Sequence, residues 1–196
     1  MNFKKITWSQ ISTVLMVLFV AVYLYSARMK SWVIMGLMMI GFFKPDIPQI
    51  KPGEKNQPAP TMLVQNLSGK SIDLQQQKGK VVFVNFWATW CPPCLAELPS
   101  INSLYEKVKA DTNIVFVMVD VDNDLANSTK FLKNKRYQLP VYGGDAAHVP
   151  NSLFGEGIPT TIVVDKKGDV VFRHLNRAKY DDEKFVQYIT NLAAEQ

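Results

Sequence analysis

The chain has 196 residues, 47% of them apolar, with 22 Lys and Arg against 17 Asp and Glu; that is enough for one globular domain of ordinary size and a short appendage. The excess of +5 sits in Lys4, Lys5, Arg28, Lys30 and Lys44, ahead of the first acid at Asp46, so the remainder is neutral and lacks the basic face that nucleic-acid binding requires. Two Cys and two His exclude a disulfide scaffold and leave too few ligands for an ordinary Cys/His zinc site.

Residues 6–27 carry no charge and run through VLMVLFVAVYLY, about the 20 residues that cross a ~30 Å hydrocarbon layer. They read as an uncleaved membrane span rather than a cleaved signal, whose apolar core is only ~7–15 residues. Trp8, Tyr23 and Tyr25 suit an interfacial aromatic belt. Residues 31–43 (SWVIMGLMMIGFF) reach roughly 20 Å as a helix, so an interfacial or re-entrant segment is expected, with Arg28 and Lys30 among headgroups. Basic residues flank the span on both sides, so charge alone does not set its orientation. Residues 1–43 are thus read as an anchor. Residues 44–60, with five prolines, read as an extended tether reaching up to ~50 Å, and 61–196 as the folded domain.

Within the domain, 61–64 and 71–74 read as a hairpin around Ser68-Gly69-Lys70. Val81–Trp87 is apolar on both alternate faces, as a central strand covered on two sides should be. A helix is expected over 92–110, a buried strand over 113–119, a helix over 125–136, a short strand over 139–142 and a helical turn over 149–154. Thr160–Val164 and Val170–His174 form a second hairpin with a Lys-Gly turn. An amphipathic helix over 181–194 carries Phe185, Val186, Ile189 and Leu192 at helical spacing. Strands alternating with helices and closing in a hairpin predict a three-layer α/β/α sandwich with a mixed sheet.

Both cysteines fall in Trp90-Cys91-Pro92-Pro93-Cys94, directly after a buried strand and at the start of a helix. Unpaired backbone N–H groups and the positive end of the helix dipole favour a thiolate at the first cysteine, and the thiolate is the nucleophile. Three residues of helical spacing bring the second thiol back beneath it, so an internal disulfide can close and open. Pro92 stands where a missing N–H costs little. Half a zinc site is a weaker reading, because no second pair exists and His148 and His174 lie far apart. A purely structural disulfide between residues three apart would constrain the unfolded chain little. Leu95, where a haem-attachment motif needs His, argues against covalent haem.

The segment Phe86-Trp87-Ala88-Thr89-Trp90-Cys91-Pro92-Pro93-Cys94 resembles the active-site segment of the thioredoxin superfamily. With Leu95-Ala96-Glu97-Leu98-Pro99 after it, it resembles more narrowly the membrane-tethered TlpA and ResA type of bacterial thiol–disulfide oxidoreductase, over roughly residues 60–194. The resemblance implies a thioredoxin-like fold with a TlpA-type insertion within 120–157 and a kink of the first helix at Pro99. It also implies a cis-proline loop, Gly157-Ile158-Pro159-Thr160-Thr161, lying against the cysteines. Cys91 is then the attacking and Cys94 the resolving thiol, with Trp90, Pro92, Pro93, Ile158 and Pro159 available to the substrate, and no cofactor or metal. The implied partners are disulfide-bearing proteins, a membrane thiol relay as electron donor, and the lipid bilayer of a bacterial cytoplasmic membrane with the domain on the periplasmic side. A reductant role, such as keeping apocytochrome cysteines reduced in cytochrome c maturation, follows from the same likeness.

Asn85 stands where thioredoxin itself carries a buried aspartate for proton transfer, and Glu97 resembles the acid that takes over in the ResA type. Without the resemblance, Glu97 reads as a first-turn acid stabilising a helix N-terminus. Trp87 reads as core and Trp90 as an exposed rim, and His148 and His174 as surface residues. Two other functions remain open. A thiol peroxidase of the same fold is disfavoured because Ala88 and Val84 occupy the places of the activating threonine and its proline. A tethered binding module would use the fold without redox turnover.

Overall fold

The computed structural model describes residues 8–25, 57–144, 149–150, 153 and 157–195. The interfacial segment read over 31–43, most of the tether over 44–60, Arg28, Lys30 and His148 lie outside them. The expected turn over 149–154 is described only at 149, 150 and 153, where the Leu153 N–H donates to the Pro150 carbonyl at 2.9 Å.

Helix α1, Trp8–Tyr25, lies within the charge-free stretch. Its 18 residues reach roughly 27 Å at 1.5 Å per residue. Among the described residues, no helix is long and apolar enough to cross a membrane.

The domain is built on a sheet of strands β1 (Gln57–Pro58), β2 (Leu63–Gln65), β3 (Ser71–Asp73), β4 (Val81–Trp87), β5 (Ile114–Asp120), β6 (Val141–Gly143), β7 (Thr160–Val164) and β8 (Asp169–Leu175). Their order is β1-β8-β7-β4-β5-β6-β2-β3. β4 runs parallel to β5, and β5 to β6, while β7, β8 and β1 pair antiparallel on the other side. The mixed sheet and the hairpin at Lys167-Gly168 are as expected, the turn being closed by Gly168 at φ +92°. The sheet begins earlier than the sequence indicated. Gln57 pairs with Val170 and Pro58 with Asp169, and the Ala59 N–H donates to the Gly168 carbonyl at 2.8 Å, so the last residues read as tether belong to the sheet edge.

Helices α2 (Pro92–Val108), α3 (Leu125–Asn134) and α4 (Glu183–Ala194) complete the order. Alternation along β4 explains the two cores. Val81, Phe83 and Trp87 face one side, with Leu98, Ile101 and Leu104 of α2 and Phe185 and Ile189 of α4; Val82, Val84 and Phe86 face the other. That second face is covered, among the described residues, by Met62, by Leu74 of the 3-10 turn Leu74–Gln77 and by Val149 and Leu153. Phe83 anchors the first core, stacked on Phe116 at 4.8 Å and edge-on to Tyr180 at 5.5 Å. Asn85, on the same face, is the polar interruption in an otherwise apolar strand.

Candidate active site

α2 starts at Cys91 because that residue has extended backbone (φ −84°, ψ 104°) and acts as the N-cap, with prolines at the first helical positions. Its sulfur accepts the Cys94 N–H at 3.3 Å, one of the orphan donors of a helix start. Cys91 and Cys94 are joined in a disulfide with Cα atoms 5.3 Å apart. Cys91 is 3% exposed and Cys94 not at all, so the attackable edge of the pair is the Cys91 sulfur.

The Ile158–Pro159 peptide bond is cis, and the Cys91 sulfur lies 3.9 Å from the Ile158 carbonyl oxygen. The loop is held there by Thr160, whose hydroxyl donates to the Gly157 carbonyl at 2.7 Å, and by Asn176, whose N–H donates to the Pro159 carbonyl at 2.9 Å. Pro92 and Pro93 sit half-buried between the cysteines. Trp87 is buried in the core and Trp90 is exposed beside Cys91, as the sequence indicated. His174, on β8, is half-buried, stacks on Phe172 at 6.3 Å and stands opposite Thr161 in the β7–β8 ladder.

Beneath the disulfide lies a buried polar cluster. Glu97, one helical turn beyond Cys94, has no exposed surface. Its Oε1 accepts from Asn85 Nδ2 at 2.7 Å and its Oε2 from the Ala178 N–H at 3.2 Å. Asn85 Nδ2 also donates to Thr161 Oγ1 at 2.9 Å. Burial pushes the Glu97 carboxyl up from 4.5 to about 8, opposed by the hydrogen bonds from Asn85 and Ala178. The reading of Glu97 as a first-turn acid stabilising the helix N-terminus is set aside on position: α2 begins at Pro92, has no acid in its first turn, and buries Glu97 completely. The Tyr180 phenol, also buried, is pushed well above its usual range, by burial first and by the Glu97 charge second, with Thr161 opposing.

Sequence reasoning singled out Glu97 and Asn85 and named Thr161 only as part of the cis-proline loop; it missed the rest of this cluster and the bonds that join it. Thr161, Ala178, Ser100 and Tyr180 enter through tertiary contacts: Ser100 Oγ donates to the Glu97 carbonyl at 2.8 Å and accepts the Tyr180 N–H at 3.2 Å. It also missed Asp122, whose carboxylate accepts from the Trp90 indole N–H. The only local signal was the acidic run Asp120-Val121-Asp122-Asn123-Asp124 after β5. Asp120 itself is buried, accepting from Ser128 Oγ at 2.6 Å and from the Asp122 N–H at 3.1 Å, and so fixes the loop that meets Trp90. Among the described residues, no group of three or more His, Cys, Asp or Glu stands together to hold a metal ion.

Comparison with known proteins agrees with this geometry. The Redoxin family model matches residues 53–189. The chain is 35% identical over 133 residues to the thiol-disulfide oxidoreductase ResA of Bacillus cereus, covering 67% of this chain and 76% of that one. It is 33% identical over 113 residues to ResA of Bacillus subtilis, covering 58% and 63% respectively. Among solved structures, a thiol:disulfide interchange protein of the thioredoxin family from Chlorobium tepidum superposes with a TM-score of 0.58 at 29% identity, covering 69% of this chain and 97% of that one. A redox-active CxxC at a helix start, a cis-proline loop against it and these likenesses converge: the chain belongs to the Redoxin family, as a ResA-type thiol–disulfide oxidoreductase of the thioredoxin superfamily.

Proposed function

We propose that the chain is a membrane-anchored reductant that opens disulfides of exported proteins through the Cys91/Cys94 dithiol. The observation that carries this reading is the position of the Cys91 sulfur, at the N-cap of α2, within reach of the Cys94 N–H and against the Ile158 carbonyl. In the reduced protein the Cys91 thiolate attacks one sulfur of the substrate disulfide, forming a mixed disulfide and releasing the other substrate sulfur as a thiolate. Cys94 then loses its proton and attacks the Cys91 sulfur, closing the internal disulfide and releasing the substrate as a dithiol. Glu97, with its pKa near 8, takes the Cys94 proton as general base when ionised and returns it in the reverse direction. Pro92, Pro93 and Trp90 border the sulfur and, with Ile158 and Pro159, form the surface the substrate backbone meets.

Support for the membrane reading comes from the charge-free run 6–27, of which 8–25 are helical. The arrangement is one span, with the N-terminus cytoplasmic and the domain on the periplasmic side, re-reduced by a membrane thiol relay. Maintenance of apocytochrome thiols is the process this arrangement would serve. A thiol peroxidase is disfavoured by Ala88 and Val84.

Turnover is tested by insulin reduction with and without Cys91→Ser: loss of activity in the variant is expected, and equal activity would leave only a binding module. A Cys94→Ala variant should accumulate mixed disulfides whose captured partners name the substrate. Topology is tested by labelling a reporter cysteine in the 44–56 segment of intact cells. Protection from an impermeant reagent until the membrane is broken would overturn the assignment.

A further inference from the structure

The domain leaves four large apolar side chains exposed among the described residues from Gln57 onward: Leu63 (43%), Leu67 (58%), Trp90 (62%) and Leu175 (46%). Scattered singly, such residues need no explanation; gathered around one feature, they mark an interaction surface. Here Trp90 and Leu175 flank the redox pair, while Leu63 and Leu67 belong to β2, three strands from β4, and to the turn after it. Leu175 pairs with Thr160, next to Pro159, on one side of Cys91. Trp90 precedes Cys91 on the other side, and beyond it lies a cavity of about 570 Å³ lined by Leu63, Leu67, Asn123, Asp124 and Leu125, among others.

The cavity is linked to the redox loop through the segment that follows β5. The Trp90 indole donates to Asp122, the residue before the cavity wall, and Asn127 Nδ2 donates to Thr89 Oγ1 at 3.3 Å, so the loop after β5 is fastened to the segment preceding Cys91. Its depth depends on glycine. A Cβ at Gly143 would collide with Asn123 Oδ1 and drive that side chain into the space. Asp124 lines the cavity and Asp122 stands one residue before its wall, and none of the described lining residues is basic.

We propose that this arc, running from Leu175 across Cys91 and Trp90 into the cavity behind Asp122, is the docking track for the substrate polypeptide, and that it selects a disulfide whose flanking residues include an aliphatic side chain and a basic one. The aliphatic side chain enters the cavity beside Leu63 and Leu67, and the basic residue meets Asp122 and Asp124 at its rim. The inference rests on the reductant reading above and adds the chemistry of its partner.

The test uses the full chain in detergent, reduced, with three substrates: hydroxyethyl disulfide, a peptide disulfide flanked by Leu and Lys, and the same peptide with Ser and Glu. A preference of about tenfold in kcat/KM for the Leu/Lys peptide over the Ser/Glu peptide is expected, expressed mainly in KM. In Leu63→Ser/Leu67→Ser, the ratio of the Leu/Lys peptide to hydroxyethyl disulfide should fall several-fold. In Asp122→Asn/Asp124→Asn, which keeps the acceptor for Trp90 and the helix cap but removes the charge, the advantage of Lys over Glu should shrink and lose its salt dependence. Equal use of both peptides by the parent chain, or a preference that survives both variants, overturns the docking track. Failure to reduce any of the three substrates would instead strike the reductant reading itself.

Discussion

Asn85, in the middle of the buried strand β4, donates from its Nδ2 to Oε1 of Glu97 on α2 at 2.7 Å. A polar side chain on the strand thus meets an acid on the helix that carries the redox pair. The bond favours the ionised carboxyl, while the surrounding burial favours the protonated one and prevails, leaving Glu97 near 8.

Stability should therefore depend on pH in a direction set by Glu97. Its pKa is about 4.5 when unfolded and about 8 when folded, so between these values the native state holds a proton that the unfolded state has lost. Stability is fully present below about 4.5 and declines as pH rises through 8, with a limiting slope of about 1.4 kcal/mol per pH unit from this group. Denaturant midpoints of the oxidised protein at pH 5, 6, 7 and 8 should fall in sequence. In Glu97→Gln the decline should largely vanish, and an unchanged pH dependence would contradict the assignment.

Glu97→Gln should also slow disulfide exchange, by roughly 10²-fold if the residue serves as general base, while far-ultraviolet circular dichroism stays as in the parent. The pH–rate profile should lose a step near 8. An unaltered rate and profile would return Glu97 to a structural role.

Removing the donor instead moves the step. Asn85→Ala takes away a hydrogen bond that lowers the Glu97 pKa, so the rate step should shift above 8. It also leaves a space in the core and costs about 1–3 kcal/mol of stability. A shift to lower pH would show that Asn85 does not act through Glu97.

Alkylation of the reduced protein should modify Cys91 before Cys94, since Cys91 alone has any exposed surface and its sulfur accepts a helix-start N–H. Its transition should lie below the ~8.5 of a free thiol. Equal reactivity would oppose the attacking and resolving roles.

The reduction potential should lie nearer the ~−270 mV of thioredoxin than the ~−120 mV of a strong periplasmic oxidant. Pro92 and Pro93 remove two backbone donors that could otherwise stabilise the Cys91 thiolate, which disfavours the reduced form. Equilibration with a glutathione or dithiothreitol redox buffer measures it, and a value near the oxidant would defeat the reductant direction.

Much of the fold was legible because it is local. Val81–Trp87 declares itself by being apolar at every position but Asn85, and α4 by the spacing of Phe185, Ile189 and Leu192. The cysteines likewise announce a helix start. The buried state of Glu97 was not legible, since Ala96-Glu97-Leu98 looks the same whether or not the chain around Ala178 and Tyr180 closes over it. Nor was β1, where Gln57-Pro58 offers no alternation and finds its place only because β8 presents a free edge. The Trp90–Asp122 bond joins residues 32 apart, beyond what a pattern of neighbours can encode.

That short edge pairing has a mechanical consequence. Gln57 and Pro58 meet β8 at Val170 and Asp169, at the end of the sheet remote from Cys91, and Pro58 has no N–H to add to the ladder. Tension drawn along the N-terminal chain is thus applied first to a two-residue strand that can peel away one bond at a time. Such a load meets this edge pairing before it meets β7, β4 or the cystine.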